Sequence, residues 1–292
     1  MSATSNSAPG QIQQAQPVES VARPAHCLPV SRGPTTVLAF SVAVFAMIRP
    51  DSVRAAVKSE VADRAGLRCG RTYADARAFY HASPTNAEAA WQLGRACFDW
   101  AEFATNDTQR AKIAGEGIAA CRQALGLNTN SAPTHYYLGM NLGQLADTKR
   151  NPSAFKIVKE IERSFLAARG LDEKFDYAGP DRNLGLLYSQ APVLISVGSR
   201  SKARQHLQRA VQLAPEYPEN RLNFIEACLK WGDRTGARRE LAALDTLWPA
   251  AQTNFAGDLW ATSWADWEAR LKKARKKIEG LVKTIESPRN RS

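Results

Sequence analysis

The stretch Tyr177 to Tyr217, YAGPDRNLGLLYSQAPVLISVGSRSKARQHLQRAVQLAPEY, restricts the fold more than any other part of the chain. It reads as one helix, a long connection, and a second helix stopped by Pro215. Leu184, Gly185 and Tyr188 occupy packing positions on the first helix; Ala203, Leu207, Ala210 and Leu213 occupy them on the second. A glycine or alanine on each helix lets two backbones approach, and a bulky neighbour fills the space beside it. Such a pair cannot bury its apolar face alone, so copies must stack against it.

The unit recurs. Leu93, Gly94 and Cys97 precede Gly117, Cys121, Ala124 and Leu127. Leu138, Gly139 and Leu142 precede Ile161, Phe165, Ala168 and Leu171. Phe224, Ile225 and Cys228 precede Ala237, Leu241, Leu244 and Leu247, with Gly232-Asp233 as the turn between and Pro249 as the stop. A degenerate first unit is expected from about Asp51 to Ala82, broken around Gly66 to Gly70 and carrying Ala76, Phe79 and Tyr80 on one face. The order L-G-x-x-Y, then A-x-x-x-L-x-x-A and a closing P, resembles a tetratricopeptide repeat. The expected fold is therefore all-α: an α-solenoid, a right-handed superhelix of antiparallel helix pairs, over residues 56–250. The steps from Gly94 to Gly139 and from Gly139 to Gly185 are 45 and 46 residues, against a family period of about 34. Extra residues sit between the two helices of three units, at Ala104 to Glu116, Gln144 to Glu160 and Ser189 to Ser201.

The two ends differ from the middle. Residues 1–55 combine a Ser-, Gln- and Pro-rich leader with the apolar block Thr36-VLAFSVAVFAMI-Arg49, too short for a comfortable span of about 20 residues. The block fits a signal-peptide core, with Val53-Arg54-Ala55 as a cleavage pattern, although the leader before it is unusually long. A buried element at the start of a cytoplasmic protein is the competing account. Export to a bacterial periplasm is the first expectation and a cytoplasmic place the second. Residues 251–286 read as a linker followed by a helix from Trp264, with Ser263 as its cap and residues 287–292 as a tail. Trp264, Trp267, Leu271, Ala274, Ile278, Leu281 and Ile285 form one stripe on that helix, and Lys and Arg cover its other faces. A capping helix is the plain reading; peripheral membrane or partner contact through its basic side is the alternative.

The net charge of +11 is spread along the helices, so direct nucleic-acid binding is not expected. The five cysteines show no metal-ligand spacing with the four histidines. Cys97 and Cys121 fall on neighbouring helices, where a disulfide and simple burial are both conceivable. No nucleophile elbow, phosphate loop, dinucleotide fingerprint or zinc-protease motif is present, so neither catalysis, a cofactor nor a metal is expected. His135 and His206 lack motif partners.

Over residues 87–247, His135-YYLGMNLG, Ala178-GPDRNLGLLYSQAP and Leu213-APEYPEN resemble the T-component proteins of TRAP-type transporters and, more loosely, regulators of microtubule dynamics. The resemblance implies an exported helical-repeat protein, able to form oligomers, whose interior groove admits a hydrophobic or organic-acid ligand and which docks on a solute-binding partner. Repeat geometry names the groove independently: Glu88, Trp91, Arg95 and Phe98; Tyr136 and Met140; Arg182, Leu186, Tyr188 and Gln190; Leu222, Glu226 and Lys230. Aromatics beside arginines suit a peptide or an amphipathic ligand with an acidic group. For Trp91 and Tyr136, packing against neighbouring helices is an equal alternative. The function expected is a non-enzymatic scaffold binding a protein or peptide partner through its concave face, with a transporter-accessory ligand carrier as the alternative.

Overall fold

Side-chain caps set the starts of five helices. Asn86, Asn106, Ser131, Ser199 and Asp233 each accept a hydrogen bond from a backbone N–H two or three residues on, satisfying donors that a helix start leaves without partners. The computed structural model describes residues 60–149, 154–191 and 196–286. Among these residues there are ten helices and no strand: α1 Glu60–Ala82, α2 Ala87–Ala101, α3 Asp107–Leu127, α4 Ala132–Asp147, α5 Ala154–Leu171, α6 Phe175–Gln190, α7 Arg200–Leu213, α8 Pro218–Lys230, α9 Arg234–Asn254 and α10 Ala261–Glu286. The apolar block 36–49, the cleavage pattern, residues 192–195 of the third insert and the tail 287–292 lie outside the described residues. No helix among the described residues is long and apolar enough to cross a membrane.

From α1 to α9 the helices pack mainly on their neighbours in sequence, and α2 on α4, α4 on α6, α6 on α8. This is the contact order of a helical repeat. The glycines are the reason the pairs close. A Cβ on Gly94 would collide with the Cys121 sulfur. One on Gly139 would come within 2.8 Å of the Phe165 ring, and one on Gly185 within 2.6 Å of Leu207. In each pair the bulky partner was expected at the matching position of the second helix. Cys97 and Cys121 are both buried free thiols, so they fill this interface without a disulfide.

Four boundaries depart from expectation. First, α1 runs unbroken through Gly66 and Gly70. A Cβ there would lie 3.1 Å from Phe103 and 3.3 Å from Trp100, so these glycines seat two rings rather than break the helix, and Phe79 is exposed. Second, α9 continues past Pro249 to Asn254; one missing N–H did not stop a helix whose Ala251 and cap Phe255 are buried. Third, α10 begins at Ala261, before Ser263, which is buried. Fourth, Asp176, Tyr177 and Ala178, at the start of α6, have φ of 51°, 55° and 61°.

The last helix also breaks the packing order. α10 lies more against α8 than against α9, and it touches α1. Trp260, Trp267, Leu271 and Ala274 join Tyr177, Tyr217 and Leu222 in one apolar cluster. Tyr217 meets the Trp267 ring edge-on at 5.4 Å.

Candidate functional site

Two fully buried arginines organise the polar interior of the C-terminal half, Arg182 on α6 and Arg270 on α10. Burying an unpaired guanidinium is prohibitive, so each must collect acceptors.

Both terminal nitrogens of Arg182 are engaged. Its Nη2 donates to Asp176 Oδ2 at 2.6 Å, and its Nη1 donates to the Asp176 and Tyr177 carbonyls at 3.0 and 3.1 Å. Tyr136 Oη donates to the same Asp176 carboxylate at 2.6 Å, and Asn220 Nδ2 donates to the Tyr177 carbonyl at 3.0 Å. The guanidinium lies 5.2 Å over the Tyr217 ring. Burial alone would lower the Arg182 pKa, but Tyr136 and Asp176 outweigh it and hold the charge in place. These contacts fix the carbonyls of the left-handed turn, a conformation costing about 1–2 kcal/mol per L-residue. Gly179 completes the fit, because a Cβ there would meet the Tyr136 ring at 2.8 Å.

Arg270 is arranged differently. Its Nε and Nη2 hold both oxygens of Glu226, at 2.8 and 2.7 Å. Nη2 also donates to Asn223 Oδ1 at 2.5 Å, and Nη1 reaches Asp266 at 3.4 Å. Burial would lower its pKa, and Glu226 and Asp266 outweigh that effect. Beside this centre α6, α8 and α10 leave a cleft of about 250 Å³. Leu186, Ala227, Leu229 and Ala274 form its apolar lining; Gln190, Asn223, Lys230, Lys273 and Lys277 are among the polar residues around them. Buried Asn223 Nδ2 and Gln190 Oε1 have no hydrogen-bond partner.

The residues expected in the groove divide accordingly. Leu186, Gln190, Glu226 and Lys230 line the cleft. Phe98, Met140, Arg182, Tyr188 and Leu222 are buried in the body of the protein, which corrects their expected place on an open surface; Tyr136 is buried too, so of its two readings the packing one describes it. Each is used locally: Phe98 and Met140 join the central apolar cluster, Leu222 packs with the cluster under α10, and Tyr188 donates to Glu162 at 2.7 Å. Glu88, Trp91 and Arg95 form a separate partly exposed group on α2. Trp91 stacks on Tyr137 at 6.0 Å and donates to Glu88 at 2.6 Å, and Arg95 lies 5.8 Å over the same Tyr137 ring.

Asn223, Arg270, Lys273 and Lys277 were not among the expected residues. A signal was available: Arg270 stands three residues after Trp267 and four before Ala274, on the apolar stripe, where a charge needs a reason.

His206 Nδ1 donates to the buried Asp181 carboxylate at 2.6 Å, and Arg169 also reaches Asp181 at 3.1 Å. The group ties α5, α6 and α7 together. No cluster of three or more metal-ligating side chains exists among the described residues.

Residues 63–177 match the family model of regulator of microtubule dynamics protein 1-3, which is less than half of the chain. No curated protein matches the chain. The matched residues end at Tyr177, before any residue of the cleft.

Proposed function

We propose that this chain is a tetratricopeptide-repeat scaffold without catalytic activity, a right-handed superhelix whose α6/α8/α10 cleft is the contact site for a protein or peptide partner. The observation that carries this reading is the cleft itself. It combines an apolar floor with three lysines and two buried polar atoms that lack protein partners. Such mixtures of apolar lining and a few placed polar groups characterise binding sites. The family match supports a helical domain over residues 63–177; the partner contact is assigned to the part beyond it. The cell envelope is the compartment proposed, on the sequence of residues 36–55. The basic face of α10 is the proposed route to any membrane contact, and self-association remains part of the proposal through the family resemblance.

Charge reversal tests the assignment. Lys230→Glu with Lys273→Glu should abolish capture of a partner that wild-type protein retains from envelope extract. Arg238→Glu, exposed on α9, should not. Equal capture by all three proteins contradicts the assignment.

The cleft volume favours one second reading, a transporter-accessory protein carrying a small organic acid. At about 250 Å³ the cleft lies just under the usual range of small-ligand pockets, about 300–1,000 Å³. Native mass spectrometry of the purified chain would show a bound acid, lost on denaturation.

A further inference from the structure

Building on the cleft as the contact site, we infer that it recognises a carboxylate with an N–H or O–H donor on the adjacent carbon and a short apolar group beyond. Polypeptide C-termini and free α-substituted acids share this chemistry.

The charge comes first. Lys273 and Lys277 stand four apart on one face of α10, and neither has an ion-pair partner among the described residues. Like charges at that spacing repel. The one carboxylate in the cleft lining, Glu226, has both oxygens held by Arg270 and makes no ion pair with either lysine. An anion in the cleft would.

The hydrogen-bond pattern then narrows the anion. A guanidinium only donates, so the contact from Arg270 to Asn223 fixes which end of that amide is oxygen. Nδ2 is therefore a genuine donor, on a residue 1% exposed, without an acceptor. An orphaned buried donor costs about 1–3 kcal/mol, which a ligand oxygen admitted to it by a small side-chain shift at the cleft wall would offset. Gln190 presents the opposite need, a carbonyl oxygen without a donor. A sulfate, which carries no proton, would satisfy the lysines and Asn223 but would meet Gln190 oxygen to oxygen. A carboxylate with a neighbouring N–H or O–H satisfies all of them. Leu186, Ala227, Leu229 and Ala274 leave an apolar place for a short side chain. The volume admits one residue-sized group.

The test uses the full chain and isothermal calorimetry. The probes are a hexapeptide ending in leucine, its C-terminal amide, and 2-hydroxyisocaproate. Asn223→Asp keeps the acceptor for Arg270 and turns the spare donor into an acceptor. Lys273→Gln and Lys277→Gln alter exposed positions, and Lys276→Gln is the control on the same helix. The free-acid peptide should bind, and the amide at least about tenfold more weakly, the scale of one lost charge-assisted hydrogen bond. Asn223→Asp and the two lysine variants should each weaken binding by a similar factor, and Lys276→Gln should not. Binding of 2-hydroxyisocaproate alone, with the same variant pattern, also upholds the site and identifies its ligand as a small acid. Equal binding of peptide acid and amide overturns the carboxylate inference, as does binding of no probe. The charge-reversal capture experiment then decides separately whether the cleft is still the contact site.

Discussion

Arg182 and Arg270 are equally buried, yet one closes a structure and the other borders an opening. Around Arg182 every nearby acceptor is used: one carboxylate, two carbonyls and a tyrosine ring. Its partners belong to α4, α6 and the loop before α8, and they clamp three residues in the left-handed region. Around Arg270 the guanidinium is satisfied, but its neighbours are not. Asn223 keeps a free donor, Gln190 a free acceptor, and Lys273 and Lys277 stand beside the cleft without an ion-pair partner among the described residues. A buried charge alone is therefore a poor marker of function. Unspent partners beside space are the better one.

The largest effect should come from breaking the closed centre. Arg182→Leu leaves the Asp176 carboxylate buried without its cation, and loss of one partner of such a pair costs about 3–5 kcal/mol. Urea unfolding should show a midpoint falling accordingly, and Arg182→Lys should recover little, since an ammonium cannot span Asp176 and both carbonyls. Recovery to wild-type stability by lysine would mean that charge, not the fork, holds the turn.

Arg270→Met should cost less, about 1–3 kcal/mol. Glu226 is 34% exposed at its side chain and can return to water, although Asp266, at 5%, cannot. A loss as large as that of Arg182→Leu in the same urea series would erase the distinction between the two centres.

A still smaller effect, of opposite sign, is expected at the clamped turn. Ala178→Gly removes a Cβ from a residue with φ of 61° and should raise stability by up to about 1 kcal/mol, less what the lost methyl contributes. Destabilisation in thermal melts would show that the methyl outweighs the strain.

The thiols read the same contrast. Burial pushes Cys121 up to about 12 and Cys228, on α8, up to about 11. Both should resist alkylation at pH 8 in the folded protein. In Arg270→Met the α8 thiol should become reactive before Cys121; simultaneous reaction would mean that the two halves open together.

The smallest effect is a control remote from both arginines. Hydrogen bonds from the Gly236 N–H and from Arg204 hold the Asp233 carboxyl below its usual 3.8. A depressed folded value adds stability above the unfolded pKa, which is lost as pH falls below about 4. Asp233→Asn should flatten that acid limb of a pH–stability curve without changing either arginine variant's deficit.

The repeat was legible because its cause is local: a small residue facing a bulky one at helical spacing, as at Gly139 and Phe165. The cleft was half legible. Leu186, Gln190, Glu226 and Lys230 follow from repeat spacing, since they lie on the same face of α6 and α8. Lys273 and Lys277 do not, because α10 leaves the packing order and no periodicity says where a last helix will lie; Asn223, three residues before Glu226 on the same face of α8, was within reach of the spacing and was missed. Arg182 misled for a related reason. Its position on the repeat suggests an open face, and only the left-handed turn, invisible in Asp176-Tyr177-Ala178 without a glycine, turns that face inward.

Photo-crosslinking in the intact cell tests the central claim most directly. A photoreactive residue at Lys273 or Lys277 should yield one discrete adduct, absent when it stands at Arg238, and lost from Lys273 when Lys230→Glu is added. Equal adducts at Arg238, or persistence with Lys230→Glu, would contradict the assignment of the α6/α8/α10 cleft as the contact site.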